Sequence, residues 1–141
     1  MLQELFQFFT QIQPQLEIIS RISLTVDELE LLKETEGIFA ITPEGLVLTK
    51  GLERLSDREM VLVLLAKARL ARTVGKGEKA ELQSSELVST TMKSTGTVAG
   101  RLSELAREEL VERAGKGAYR ITTLGLHRFR EDILPKLKAT Q

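Results

Sequence analysis

The stretch from Ser84 to Thr122, SSELVSTTMKSTGTVAGRLSELAREELVERAGKGAYRIT, leaves little freedom to any fold that contains it. Two short helical patterns are separated by Ser94-Thr95-Gly96, which reads as a turn, and Ser84 or Ser85 is placed to cap the first of them. The second pattern puts Val98, Leu102, Leu105 and Leu110 on one side, at the three- and four-residue spacing of a buried helical stripe. Thr97, Gly100, Arg101, Glu104 and Arg107 are read as the opposite side. A hairpin follows around Ala114-Gly115-Lys116-Gly117, so the chain must fold as helix, turn, helix, hairpin within forty residues.

Other punctuation extends the pattern in both directions. Thr25, with Glu28 three residues on, has capping-box spacing for a helix over VDELELLKE, and Gly37 suits its stop. IFAITPEGLVLT reads as strand, turn, strand, with Pro43-Glu44-Gly45 as the turn. Ser56 or Asp57 caps a helix from about Arg58 to Val74. GKGEK (75–79) is a polar loop and AELQ a short strand. A final helix, LGLHRFREDILPKLK, must end or bend near Pro135. At the N-terminus, apolar residues from Leu2 to Ile22 recur at helical spacing, with Pro14 as a break and Phe6, Phe8 and Phe9 as core or a dimer face. The expected fold class is mainly α with small β-hairpins, an α+β chain.

Two segments also share a pattern at a constant offset of 80. Phe39-Ala-Ile-Thr-Pro-Glu-Gly-Leu46 aligns with Tyr119-Arg-Ile-Thr-Thr-Leu-Gly-Leu126. This suggests a duplicated unit.

Charge is divided, although the net is zero. Residues 1–56 hold four basic side chains against nine acidic, and residues 57–141 hold sixteen against eleven. The expected organisation is an acidic unit at 1–56 and a second domain at 57–141. A helix as acidic as VDELELLKE is repelled by phosphates. The first unit is therefore expected to serve dimerisation or docking of a protein partner.

Several classes drop out. There is no cysteine and one histidine, His127, which excludes disulfides, thiolate chemistry and a His-cluster metal site. No phosphate-loop spacing and no nucleophile–base pair occurs, so no enzyme, cofactor or metal is expected. MLQELFQFF lacks the basic start of a signal peptide. MVLVLLA (60–66) is too short to span a bilayer, so a cytoplasmic chain without a membrane partner is the expectation.

Residues 57–135 resemble the winged helix-turn-helix superfamily of bacterial and archaeal transcription regulators. The likeness rests on the Ser-x-x-Leu start at Ser84, Gly96-Thr97-Val98 opening the second helix, Arg101-Leu102-x-x-Leu105, the Gly-Lys-Gly tip, and Tyr119-x-Ile121-Thr122-x-x-Gly125. It implies a recognition helix over about 96–109, a basic wing over 113–120, and duplex DNA as partner. With the repeat, it allows two winged-helix-like units in tandem. Thr97 and Arg101 are the candidates for base edges. Lys93, Ser94 and Thr95 at the turn, and Arg113, Lys116 and Arg120 in the wing, are candidates for phosphates. Lys76 and Lys79 could add phosphate contacts from their loop. Glu104, Glu108, Glu109 and Glu112 weaken such a surface, which makes a homodimer on two half-sites an advantage. The competing reading is a tandem winged-helix scaffold that binds proteins.

Overall fold

The computed structural model describes residues 23–77 and 79–139. The amphipathic segment Leu2–Ile22, with its expected Pro14 break and dimer face, lies outside the described residues. The chain is mixed α and β, with two small antiparallel sheets.

The first helix, α1 (Glu28–Glu34), starts on a different cap from the one expected. The Asp27 carboxylate, not Thr25, accepts the N–H groups of Leu29 and Glu30 at 3.1 and 3.2 Å. A charged acceptor next to the helix's positive end is the stronger cap. The helix stops at Thr35, whose buried hydroxyl donates to the Leu32 carbonyl at 2.6 Å. Strands β1 (Phe39–Thr42) and β2 (Gly45–Leu48) then pair across a turn at Pro43-Glu44, one residue shorter than the expected Pro43-Glu44-Gly45, because Gly45 pairs with Thr42 in the ladder. Their shared inner face carries Phe39, Ile41, Leu46 and Leu48.

Helix α2 (Asp57–Thr73) is the axis of the molecule. It opens with a complete capping box between Ser56 and Glu59. Val61 to Ala66 are all buried, so this helix is enclosed rather than laid on a surface. Its partners are α1 and β2, the helices α3 (Ser84–Thr91) and α4 (Thr95–Arg107), strand β5 (Ala118–Ile121) and the C-terminal helix.

Strand β3 (Leu82–Gln83) pairs with β5, and β5 pairs with β4 (Val111–Gly115), giving the order β3-β5-β4. α3 starts directly off β3. Neither Ser84 nor Ser85 caps it: Gln83 holds the cap position without a side-chain bond, and the Ser84 N–H donates to the Gly117 carbonyl at 2.9 Å. The sheet thus consumes the group that a serine cap would have freed.

The C-terminal helix neither ends nor breaks at Pro135. It runs as α5 (Thr123–Arg128), a π-helical turn (Phe129–Ile133) and α6 (Leu134–Ala139). Proline cannot donate to the preceding turn and crowds the carbonyl four residues back. The wider turn just before it leaves Pro135 in the first turn of a new α-segment, where its N–H is not needed.

The matched segments fold differently. Thr42 Oγ1 donates to the Gly45 carbonyl at 2.9 Å and closes a hairpin. Thr122 Oγ1 accepts the Gly125 N–H at 3.0 Å and caps a helix. The structural likeness stops at the strands that open both segments, β1 and β5. Nor do residues 23–56 hold a core of their own. Leu31, Ile38, Phe39 and Leu46 belong to the same buried cluster as Val61, Leu102 and Phe129, and the Phe39 and Phe129 rings stack at 6.1 Å.

Gly125 sits where a Cβ would lie 2.0 Å from the Leu110 carbonyl oxygen and 2.7 Å from Ile121 Cγ1. Since backbone must move, Gly125→Ala is expected to cost about 3 kcal/mol, read as a lower midpoint in chemical denaturation. A second expectation concerns pH. Partial burial would raise the Glu59 carboxyl's pKa, but hydrogen bonds from Lys136 at 2.7 Å and from Ser56 outweigh it and hold the value below the usual range. The stabilisation is present above the unfolded carboxylate range and is lost as pH falls through the lower, folded value. Glu59→Gln should show a deficit of about 0.5–1 kcal/mol at pH 7. Thermal melts across pH should show that gap closing in acid.

Candidate nucleic-acid interface

Helix α4 is set by its buried stripe. Val98, Leu102 and Leu105 are inaccessible, as is Leu110 just beyond the helix end. All four sequence expectations for this side hold. The outward side is rotated from the one expected. At 100° per residue, Thr97 and Arg101 fall roughly a quarter-turn from the centre of the buried stripe, on the flank. Both are half-buried. The exposed crown is Gly96, Ala99, Ser103 and Arg107, with Gly100 half-buried between them. Apart from Arg107, these are small side chains, and a helical wheel drawn on Val98, Leu102 and Leu105 would have found them.

The turn before α4 is built from its own residues. Met92 takes a left-handed conformation (φ 61°) at the end of α3. Ser94 is the N-cap of α4: its Oγ accepts the Thr97 N–H at 3.1 Å and donates to Thr97 Oγ1 at 2.8 Å. The Ser94 hydroxyl is therefore committed to Thr97 as both acceptor and donor, while Thr95 is exposed in the first turn.

Most of the expected cations are held by neighbours. Lys93 Nζ lies 3.3 Å from Asp57, the first residue of α2. Arg101 pairs with Glu104 at 3.0 Å. Arg120 pairs with Glu112 at 2.6 Å across the β4–β5 ladder. Arg113 lies over the Tyr119 ring, 5.8 Å from its centroid. Lys116 stands exposed at the hairpin tip, with no ion pair among the described residues. Gly117 beside it takes φ 72°, which lets two residues close the hairpin.

Arg113 and Arg120 do not share a face. Arg113 is opposite Tyr119 and Arg120 is opposite Glu112, one register step apart, so the two side chains leave opposite sides of the sheet. Arg120 instead lines a hollow of about 490 Å³ with Arg69, Arg72 and the carboxylates of Glu28 and Glu112. Lys76 and Lys79, with Lys67, line a hollow of about 340 Å³ between the β1–β2 turn and α3. His127 is half-buried on α5.

Three of the four acidic residues near this surface are neutralised too, while Glu109, just past the end of α4 at φ 61°, is exposed with no ion pair among the described residues. Glu108, the C-cap of α4, pairs with Arg58, whose hydrogen bond holds its carboxyl below the usual range. Glu104 and Glu112 are held by the arginines already named. Among the described residues no group of three metal-ligating side chains could hold a metal ion, and no helix is long and apolar enough to cross a membrane.

Comparisons with protein-family models, with curated proteins and with solved structures return no match to this chain.

The Ser94 cap carries a direct test. Ser94→Ala leaves the Thr97 N–H without its acceptor and is expected to cost about 1 kcal/mol in urea denaturation. Ser94→Asp, which keeps an acceptor at the cap, should restore most of it.

Proposed function

We propose that residues 57–139 form a winged helix-turn-helix and that the protein is a regulator that binds duplex DNA through α4 and the β4–β5 wing. The order helix, short strand, helix, turn, helix, hairpin supports the fold reading. The observation that carries the function is the composition of the α4 crown. It holds no carboxylate, while Glu104 and Glu108 are paired with Arg101 and Arg58. Three of the four carboxylates that weigh against a nucleic-acid surface, Glu104, Glu108 and Glu112, are thus screened at short range, and Glu109 is left exposed beyond the helix end.

Small side chains at Gly96, Ala99 and Ser103 let the helix axis approach a groove closely, with Thr95 at its leading end. They also offer few groups to read base edges. The expected mode is backbone contact and shape fit, with Arg107 and Lys116 as phosphate ligands and Lys93 recruited from Asp57. An exposed ion pair is worth little, so a phosphate can displace Asp57 at small cost. Affinity then rests on few phosphates and falls steeply with salt.

The protein-scaffold reading is favoured by a different observation: Lys93, Arg101 and Arg120 each already have a carboxylate partner. A titration separates the two. Fluorescence anisotropy with a mixed-sequence duplex at several salt concentrations should give binding at low salt. Arg107→Ala and Lys116→Ala should each lower the slope of log K against log salt by about 1. Arg101→Ala should do less, because Glu104 already holds that side chain. Absence of binding at low salt by the folded protein would refute the DNA reading and leave the scaffold reading standing.

A further inference from the structure

Four of the five exposed large hydrophobic side chains among the described residues lie before residue 50: Leu24, Leu29, Ile41 and Val47. Leu29 is 58% exposed and Ile41 54%, although Leu29 sits on α1 and Ile41 on the inner face of the β1–β2 hairpin. Together with Leu32, Phe39 and Leu46 they line a groove of about 650 Å³ between α1 and the hairpin. Its rim is net acidic, with Asp27, Glu30 and Glu36 against one base, Lys33, which pairs with Glu30 at 3.0 Å. An apolar groove of this size on an otherwise polar surface is a place where something docks.

We propose that the occupant is this chain's own N-terminal segment, Leu2–Ile22, seated on the groove of the same molecule. Three observations select it. The segment ends at the groove: only Ser23–Val26 separate Ile22 from Asp27, which itself lines the cavity. A four-residue connection is the length that reverses a chain between adjacent antiparallel elements. The segment's apolar residues, Leu2, Leu5, Phe6, Phe9, Ile12, Leu16 and Ile19, recur at the spacing of a continuous stripe. Between Leu5 and Leu16 it carries no charge, so nothing in its centre is repelled by Glu30 or Glu36. A covalent tether also gives it a high effective concentration over any free competitor. A second copy of the groove would instead bring like-charged rims together.

The proposal is independent of the DNA reading, because the groove is lined by no residue of α4 or of the wing. The test is hydrogen exchange by mass spectrometry on the full chain, with light scattering over a concentration series. In the wild type, amides of 2–22 should exchange about ten-fold or more slowly than free chain, in a monomer. Leu29→Glu with Ile41→Glu should remove that protection and leave α2 and α4 unchanged, since both positions are exposed. Phe9→Glu, on the occupant's side, should do the same, and it decides the matter if the groove variant loosens α2. Free-chain exchange of 2–22 in the wild type would overturn the proposal, as would protection that survives Phe9→Glu. So would a dimer whose protection fades on dilution, which would make a second copy the occupant.

Discussion

Everything in this molecule is placed by the enclosure of α2. A helix with Val61, Leu62, Val63, Leu64, Leu65, Ala66 and Leu70 all buried needs neighbours on every side. Burying each large side chain is worth about 1.5–3 kcal/mol, so the neighbours are recruited by packing and not by polar contacts. The polar contacts then set angles. Three consecutive residues at the start of α2 reach three different elements: Asp57 to Lys93 before α4, Arg58 to Glu108 after α4, and Glu59 to Lys136 on α6. Successive side chains on a helix point about 100° apart, which is why one turn can tie three partners. Each tie reaches the surface through at least one partner and is individually weak. Two of them grip the two ends of α4 and so fix its tilt against the axis.

That tilt determines what α4 presents. With Val98, Leu102 and Leu105 turned to α2, the crown is left to Gly96, Ala99, Ser103 and Arg107. The cap at Ser94 fixes where the helix begins, and the Lys93–Asp57 pair ties the preceding turn to the same end of α2. The proposed recognition surface is therefore a by-product of core packing, with a narrow choice of side chains left for contact. On the proposed reading, affinity would come from shape and a few cations, and specificity from how a duplex deforms to meet the helix.

Local signals in the sequence were legible wherever the decisive partner lies within four residues. The helix start at Ser56 or Asp57, the buried stripe of α4, the turn at Pro43-Glu44-Gly45, a short strand within AELQ and a hairpin around Ala114-Gly115-Lys116-Gly117 all follow from spacing alone, and the structure sharpens each to particular residues. What was not legible depends on distant partners. Thr42 and Thr122 stand in the same local pattern, yet one closes a hairpin and the other caps a helix, because Thr122 Oγ1 also donates to the Glu109 carbonyl at 2.6 Å. The pairs Lys93–Asp57 and Arg120–Glu112 join residues that no periodicity connects. By sequence, Arg101 groups with Thr97, Gly100, Glu104 and Arg107 as the side opposite the apolar stripe. The quarter-turn that moves it to the flank appears only when the buried stripe is centred on Val98, Leu102 and Leu105.

The division of charge between the two parts of the chain takes on a different meaning in the folded molecule. An acidic first part and a basic second part suggest separate duties, one for protein and one for nucleic acid. The fold spends part of that difference internally. Glu28 holds Arg69 at 3.2 Å and Glu34 holds Arg130 at 2.9 Å, so acids of the first part neutralise bases of the second across their contact. Among the described residues, eight of the sixteen basic side chains after residue 56 are in ion pairs. The charge left for an external anion is thus about half of what composition suggests. Counterion release scales with the phosphates neutralised. On the proposed DNA reading, a single copy of this surface would sit at the weak end of duplex binding, with an affinity set by how cheaply pairs such as Lys93–Asp57 open.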